Sequence, residues 1–410
     1  MSNGDGTPVA RGGNTNTVNG KVVPIIFVPG VMGSRLSRPD GGGYWDPDNP
    51  SVMVPLLAAS APIEGIALHA DNGVIVMENE ADRFWGGVAQ GFYGHALQTL
   101  QDPSHWGGNT CNVYACGYDW RQSNANSGQA LQQRIARVLS LEEGAEKVII
   151  VTHSMGGLVT RSACKSGSGC LVLGVVHVVQ PAVGAVVAYR RYKTGAQTGM
   201  GDGNPALVRI LGNTAFMYQR ITHGLLGPAE LLPSNSHPPS PYNSTHWLTW
   251  DADLQNSFPW PPTNIYDTYR EASGRVGLFC AAEDSYIAGE IGKCIDGAES
   301  FHADMGTWFH DPTYVIASTG HETDVGVDLA NETHMFGDDT AEVNETLLGL
   351  TRRTYMAGDG TVPIGSQTVL GVPPSNQRVP PQAPEHADVL GSDDVLNNVI
   401  DCVNQLLALP

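Results

Sequence analysis

Ser154 follows the apolar run Val148-Ile149-Ile150-Val151 and opens a small-residue turn, Thr152-His153-Ser154-Met155-Gly156-Gly157-Leu158, beyond which the pattern continues as a helix. A strand that breaks sharply into a helix lifts a serine hydroxyl clear of its sheet, and the spacing here is G-x-S-x-G with Thr152 in the first glycine's place. The branched Cβ of Thr152 crowds that turn more than glycine would, and the plain alternative is a strand and a helix joined by a serine-containing turn. A serine hydroxyl is a weak nucleophile at neutral pH, so this chemistry needs a histidine to take its proton and a carboxylate to orient the histidine. With a nucleophile on such an elbow, the chain order is Ser, acid, His. Asp359 meets the second requirement, in the turn Gly358-Asp359-Gly360-Thr361-Val362-Pro363 that follows a strand-like stretch. His386, in Pro384-Glu385-His386-Ala387-Asp388-Val389-Leu390, meets the third from a loop before the last helical pattern. Asp284 and Asp388 are the fallback acids, and Asp flanked by glycines is also an ordinary turn residue. His153 adjoins the nucleophile, but neighbours on a sharp turn diverge, so it reads as packing or support.

An acyl-transfer site also needs two backbone N–H groups aimed at the developing oxyanion; removing one such donor typically costs about 10²–10³ in turnover. Met155 supplies the first by position, directly after the serine. Val31, after Pro29-Gly30, is the second candidate, with Met32 the near alternative.

The elements that must carry these residues are legible in outline. Val22 to Val28 is a continuous apolar run feeding Pro29-Gly30-Val31-Met32-Gly33-Ser34, and similar runs recur at 112–118, 147–151 and 171–179. Helical patterns at 129–139 and 155–163 lie between them. Alternation of this kind predicts a mostly parallel central sheet with helices on both faces. After about Pro181 the rhythm gives way to a stretch rich in Gly, Pro, Asn and aromatics, which reads as an inserted cap. Strand patterns return at 313–318 and 353–356, and a helix closes the chain at 393–409. The expected organisation is a flexible tail over 1–20, a first core part over 21–185, a cap or lid over 186–311 and a second core part over 312–410.

Of the 410 residues 41% are hydrophobic and 15% charged, enough to bury a large core. The net charge of −19 repels nucleic acid and anionic bilayers, so any lipid contact must be apolar. No run of about 18 or more apolar residues occurs, and the opening Met1-Ser2-Asn3-Gly4-Asp5-Gly6 lacks the basic and apolar parts of a signal peptide. Cys111 and Cys116, Cys164 and Cys170, and Cys280 and Cys294 form close pairs with Cys402 left over; local disulfides and buried reduced thiols fit this spacing equally. No Cys/His grouping has a zinc spacing, and no cofactor or metal is expected.

Taken together, Val28-Pro29-Gly30-Val31-Met32-Gly33-Ser34, Tyr118-Asp119-Trp120-Arg121, the His153-Ser154-Met155-Gly156 elbow, Gly358-Asp359-Gly360-Thr361-Val362 and His386 resemble the lecithin:cholesterol acyltransferase-like lipases and phospholipases, in that family's order. The resemblance implies an α/β-hydrolase fold, a triad of Ser154, Asp359 and His386, oxyanion donors at Val31 and Met155, and acyl-ester substrates, usually glycerophospholipids at a membrane surface, with water or an alcohol as acceptor. The expected function is therefore a serine-dependent lipid ester hydrolase, a phospholipase or lipase. The alternatives are an acyltransferase using the same residues and a catalytically silent hydrolase-fold binding protein. A narrower similarity, carried by 176–184 and by Gly227-Pro228-Ala229-Glu230-Leu231-Leu232-Pro233, is to bacterial lipases deployed as type VI secretion effectors. It implies delivery outside the producing cytoplasm without an N-terminal signal, together with a secretion carrier and an immunity protein; the alternative is a cytoplasmic enzyme.

Two further features have open roles. Trp247, Trp250 and Trp260, with Phe258, concentrate aromatics in the cap, either as a lid or acyl groove or as the cap's own core. Arg121 is suited to bidentate phosphate binding or, equally, to pairing with Asp119.

Overall fold

A computed structural model of the chain describes residues 20–39, 43–58, 73–198, 202–203, 205–239, 246–250, 260–271, 277–278, 285–329, 350–368 and 370–410. The tail residues 1–19, Phe258, Cys280 and the fallback acid Asp284 lie outside the described residues.

Twelve strands are present among the described residues: β1 Ile25–Val28, β2 Leu36–Ser37, β3 Gly43–Trp45, β4 Ile75–Val76, β5 Val113–Ala115, β6 Val148–His153, β7 Val172–Val178, β8 Leu248–Trp250, β9 Thr313–Ile316, β10 His321–Leu329, β11 Leu350–Gly358 and β12 Gln377–Arg378. Six form one sheet in the order β12-β9-β7-β6-β1-β5. Every neighbouring pair in it is parallel, with Phe27 opposite Val151 and Val151 opposite Val176 across the centre.

A parallel sheet covered on both faces needs apolar side chains at successive positions, which is why its strands read as unbroken Val/Ile runs. Successive residues go to opposite sides. Ile25, Phe27, Ile149 and Val151 pack under the helices Gln90–Gln101 and Asp393–Leu407, while Ile26, Val28, Val148 and Ile150 pack under Asn124–Leu141 and Gly156–Ala163. The closing helix presents Val395, Leu396, Val399, Val403 and Leu406 to the first of these layers at three- and four-residue spacing. The α/β class with helices on both faces is thus as expected. No described helix is long and apolar enough to cross a membrane.

The strand around 353–356 exists but does not join the parallel sheet. As part of β11 it pairs antiparallel with β10 in a separate three-stranded sheet ordered β11-β10-β8. Its exposure explains this: Tyr355 and Met356 are exposed, whereas a strand of a sheet covered on both faces must bury every side chain. β8 comes from the aromatic cap segment, and Trp247 and Trp250 are buried there with Tyr189, Tyr269, Val327 and Leu329. These two tryptophans form a core of their own rather than a lipid-facing lid. Trp260 is half-buried, its indole N–H donating to the Leu248 carbonyl at 3.3 Å.

The six described cysteines are free thiols, so the staple reading fails for the pairs in view. Cys111 and Cys116 bracket β5, and the five extended residue steps between them span roughly 16 Å, far beyond disulfide reach. Cys164 is buried and Cys170 exposed.

Candidate active site

The elbow forms as its sequence dictates. Ser154 lies between the end of β6 and the helix Gly156–Ala163 with φ at +52°, a conformation L-residues avoid and a sharp strand-to-helix turn imposes. The close packing needs glycine: a Cβ on Gly156 would sit 2.5 Å from the Val28 and Pro29 carbonyl oxygens. The motif departure at Thr152 is absorbed sideways, because its hydroxyl pairs at 2.9 Å with Nδ1 of His177, the residue opposite it on β7.

The three residues selected from sequence converge. Ser154 Oγ lies 2.7 Å from His386 Nε2, and His386 Nδ1 lies 2.6 Å from Asp359 Oδ2. A carboxylate only accepts, so Nδ1 carries the hydrogen and Nε2 is left bare toward the serine hydroxyl. Asp359 is fully buried, His386 13% exposed at its side chain and Ser154 4% exposed. Asp359 is locked by its turn: Oδ1 accepts the N–H groups of Thr361 (2.9 Å) and Val362 (2.6 Å). The His386 N–H donates to the Asp359 carbonyl at 2.9 Å, tying the histidine loop to the acid turn. The fallback acid Asp388 is exposed, and only its backbone takes part in the adjoining turns, through its N–H to the Glu385 carbonyl and its carbonyl to the Gly391 N–H.

The first-strand loop comes to the same point. Gly30 packs so tightly on the elbow that a Cβ there would lie 2.9 Å from Ser154 Cβ and 3.0 Å from His153 Nδ1. A turn closed by Gly33 N–H to the Gly30 carbonyl (3.1 Å) puts Val31 and Met32 at its centre, with Met32 at φ +60°. Trp45 Nε1–H holds the Met32 carbonyl at 2.8 Å and the Tyr118 hydroxyl holds that of Pro29 at 2.9 Å. The Gly30 N–H is taken by the Tyr93 hydroxyl. Among the described residues the N–H groups of Val31, Met32 and Met155 have no backbone partner outside their own elements. Met155 also stands at a helix N-terminus, where the dipole favours negative charge.

Beside this loop a mostly apolar cavity is walled by Val31, Met32, Trp45, Trp120, Leu225 and Leu231. Arg121 is not available to a ligand phosphate in this arrangement. It is fully buried, forks onto both Asp119 oxygens at 2.7 Å and donates to the Tyr44 hydroxyl at 3.1 Å.

The lecithin:cholesterol acyltransferase family model matches residues 60–274, just over half of the 410-residue chain. The chain belongs to that family. Among solved structures, a chain in the crystal structure of the Tle4–Tli4 complex matches with a TM-score of 0.70 and 20% identity, over 95% of this chain and 99% of that one. The mature form of Bacillus licheniformis lipase BlEst2 matches over 95% and 93% of the two chains with 12% identity and a TM-score of 0.35. None of the curated proteins matches the chain in sequence. The fold is that of the α/β-hydrolases, and family and fold support a lipid ester hydrolase or acyltransferase-like activity.

Sequence reasoning did not find Tyr93. It sits on the buried face of the helix Gln90–Gln101, where a tyrosine has no local signature apart from its need for a hydroxyl partner. His153, expected to pack or support, bonds to the Tyr93 hydroxyl on one side and to the His386 carbonyl on the other.

Proposed function

We propose that the chain is a serine-dependent carboxylic ester hydrolase acting on lipids, with phospholipids as its substrates. The carrying observation is the unbroken hydrogen-bond chain Ser154–His386–Asp359 beside an apolar cavity whose wall includes Val31 and Met32. His386 Nε2 takes the Ser154 proton as Oγ attacks the ester carbonyl. The oxyanion is held by the Val31 and Met155 N–H groups, and Asp359 stabilises the imidazolium. His386 then passes the proton to the leaving alcohol, and the acyl group remains on Ser154. Water, deprotonated by the same imidazole, attacks the acyl-enzyme and releases the fatty acid. Complete triad geometry favours this over a silent binding role, which predicts a broken triad.

Family membership favours one second reading, transfer of the acyl group to an alcohol by the same residues. The likeness to a chain crystallised in the Tle4–Tli4 complex supports a proposal that the protein is delivered outside its producing cytoplasm as an effector and is met by an immunity protein.

The test is release of fatty acid and lysolipid from phosphatidylglycerol and phosphatidylethanolamine vesicles, read by mass spectrometry for wild type and Ser154→Ala. Serine-dependent release supports the phospholipase. No release with p-nitrophenyl butyrate still hydrolysed discards phospholipid as substrate. An ester of an added long-chain alcohol in place of free acid makes the protein an acyltransferase.

A further inference from the structure

Behind the triad runs a second chain of hydrogen bonds. Gly30 N–H donates to Tyr93 Oη at 3.1 Å, Tyr93 Oη lies 3.0 Å from His153 Nδ1, and His153 Nε2 lies 2.9 Å from the His386 backbone carbonyl. Its direction is fixed at both ends. A carbonyl oxygen only accepts, so His153 Nε2 carries a hydrogen, and an amide N–H only donates, so Tyr93 Oη accepts from Gly30. Burial, reinforced by the neighbouring His386, pushes His153 down to about 3, so the ring is neutral and its Nδ1 is bare. The Tyr93 O–H therefore donates to Nδ1, and every polar atom in the chain has its partner. Burial also holds the Tyr93 phenol above its ordinary value, which keeps that hydrogen in place.

These bonds connect the loop carrying Val31 to the loop carrying His386 and pass through the residue next to Ser154. His153 and Tyr93 are 5% and 4% exposed, so neither presents a surface to a substrate. Their effect has to be indirect.

We infer that His153 and Tyr93 are positioning residues: as one relay they set the His386 backbone, and with it the reach of Nε2 to Ser154 Oγ, and they hold the oxyanion loop in register with the elbow. The inference rests on the Ser154 hydrolase reading and goes beyond it. The relay works only with a neutral His153. A second hydrogen on the ring would leave Tyr93 without an acceptor and set a positive charge beside His386, whose ring centroid is 5.0 Å away, as that ring itself becomes cationic.

The test uses Tyr93→Phe, His153→Leu, His153→Gln and the double variant Y93F/H153L. The readouts are the rate of fluorophosphonate labelling of Ser154, kcat and KM on p-nitrophenyl butyrate, and a thermal melt. Y93F and H153L should each slow labelling and lower kcat by about 10- to 100-fold with KM little changed, because a misplaced base costs rate rather than binding. The double variant should fall within about threefold of the slower single one, since two links of one chain are lost together. The glutamine of H153Q retains an N–H that reaches the His386 carbonyl and should recover most of what leucine loses. Wild-type labelling in a folded H153L, losses that multiply in the double variant, or a glutamine no better than leucine would each overturn the relay. If H153L does not fold, Y93F and H153Q decide the matter. A wild type that the probe does not label overturns the Ser154 reading itself, whereas a labelled wild type with indifferent variants removes only the relay.

Discussion

Replacing Asp359 by asparagine moves a single proton, and the structure says where. Asp359 Oδ1 accepts two backbone N–H groups, from Thr361 and Val362, and Oδ2 accepts the hydrogen of His386 Nδ1. Two donors can be met only by an oxygen, so the asparagine must keep its carbonyl toward the turn and aim its NH₂ at His386. Facing a donor, Nδ1 gives up its hydrogen, Nε2 takes one, and Nε2 then points an N–H at Ser154 where a bare nitrogen was needed. The serine loses its base while the fold loses almost nothing. In a serine protease the same tautomer error costs about 10⁴ in kcat, or roughly 5.5 kcal/mol of barrier. The expected result for D359N is a loss of about 10³–10⁴ in kcat on p-nitrophenyl butyrate, in parallel with fluorophosphonate labelling, and a melting temperature within a few degrees of wild type. Asp359→Ala is the contrast: it also takes the acceptor from the buried Val362 N–H, at about 1–3 kcal/mol, and should lower the melting temperature as well. Turnover of D359N within about tenfold of wild type would refute the reasoning, because the orienting acid would then lie elsewhere.

The packing and the buried histidines set three further outcomes. Gly30→Ala forces a methyl to within 2.9 Å of Ser154 Cβ and should cost about 10²-fold in kcat by shifting the oxyanion loop off the elbow; steady-state kinetics showing unchanged turnover would mean the loop yields freely. Trp247→Ala should destabilise by about 3–5 kcal/mol in urea unfolding, as expected of a buried core indole, and a cost near zero would return the cap tryptophans to a lid. Burial pushes His153 and His177 down to about 3 and His237 and His302 down to about 4, so in the native state all four are neutral where the unfolded chain, with histidines near 6.5, binds protons. Their stabilisation is fully present above pH 6.5 and is lost as pH falls toward 4 and then 3, so melting temperatures should drop steeply across that window; a flat profile from pH 7 to pH 4 would contradict the burial.

How much of the molecule was legible depended on whether a feature is written along the chain or across it. The strands β1, β5, β6, β7 and β9 were readable because a sheet covered on both faces demands apolar residues at every position, and such runs are visible without a partner. The Asp359 turn and the His386 loop were readable because chain order and turn composition are both one-dimensional. The sheet that β11 joins was not readable, since its antiparallel pairing with β10 depends on a neighbour 20 or more positions away. Close cysteine spacing misled for the same reason: Cys111 and Cys116 are near in number and far apart in space because an extended strand lies between them. Arg121 offered two partners in sequence, and only geometry showed Asp119 holding it.

Thr152 shows the same limit from the other side. The elbow pattern asks for glycine at that position because a side chain there points at the adjoining strand, and from sequence alone the threonine counts against the site. The residue opposite it on β7 is His177, and the hydroxyl meets Nδ1 at 2.9 Å, so a polar pair occupies the space a glycine would have left. Because burial keeps that ring neutral, the pair brings no charge beneath Ser154. The departure and its compensation are therefore one feature, divided between positions 25 residues apart. A motif is a statement about the space around a residue, and its tolerance for substitution is set by whichever strand lies alongside.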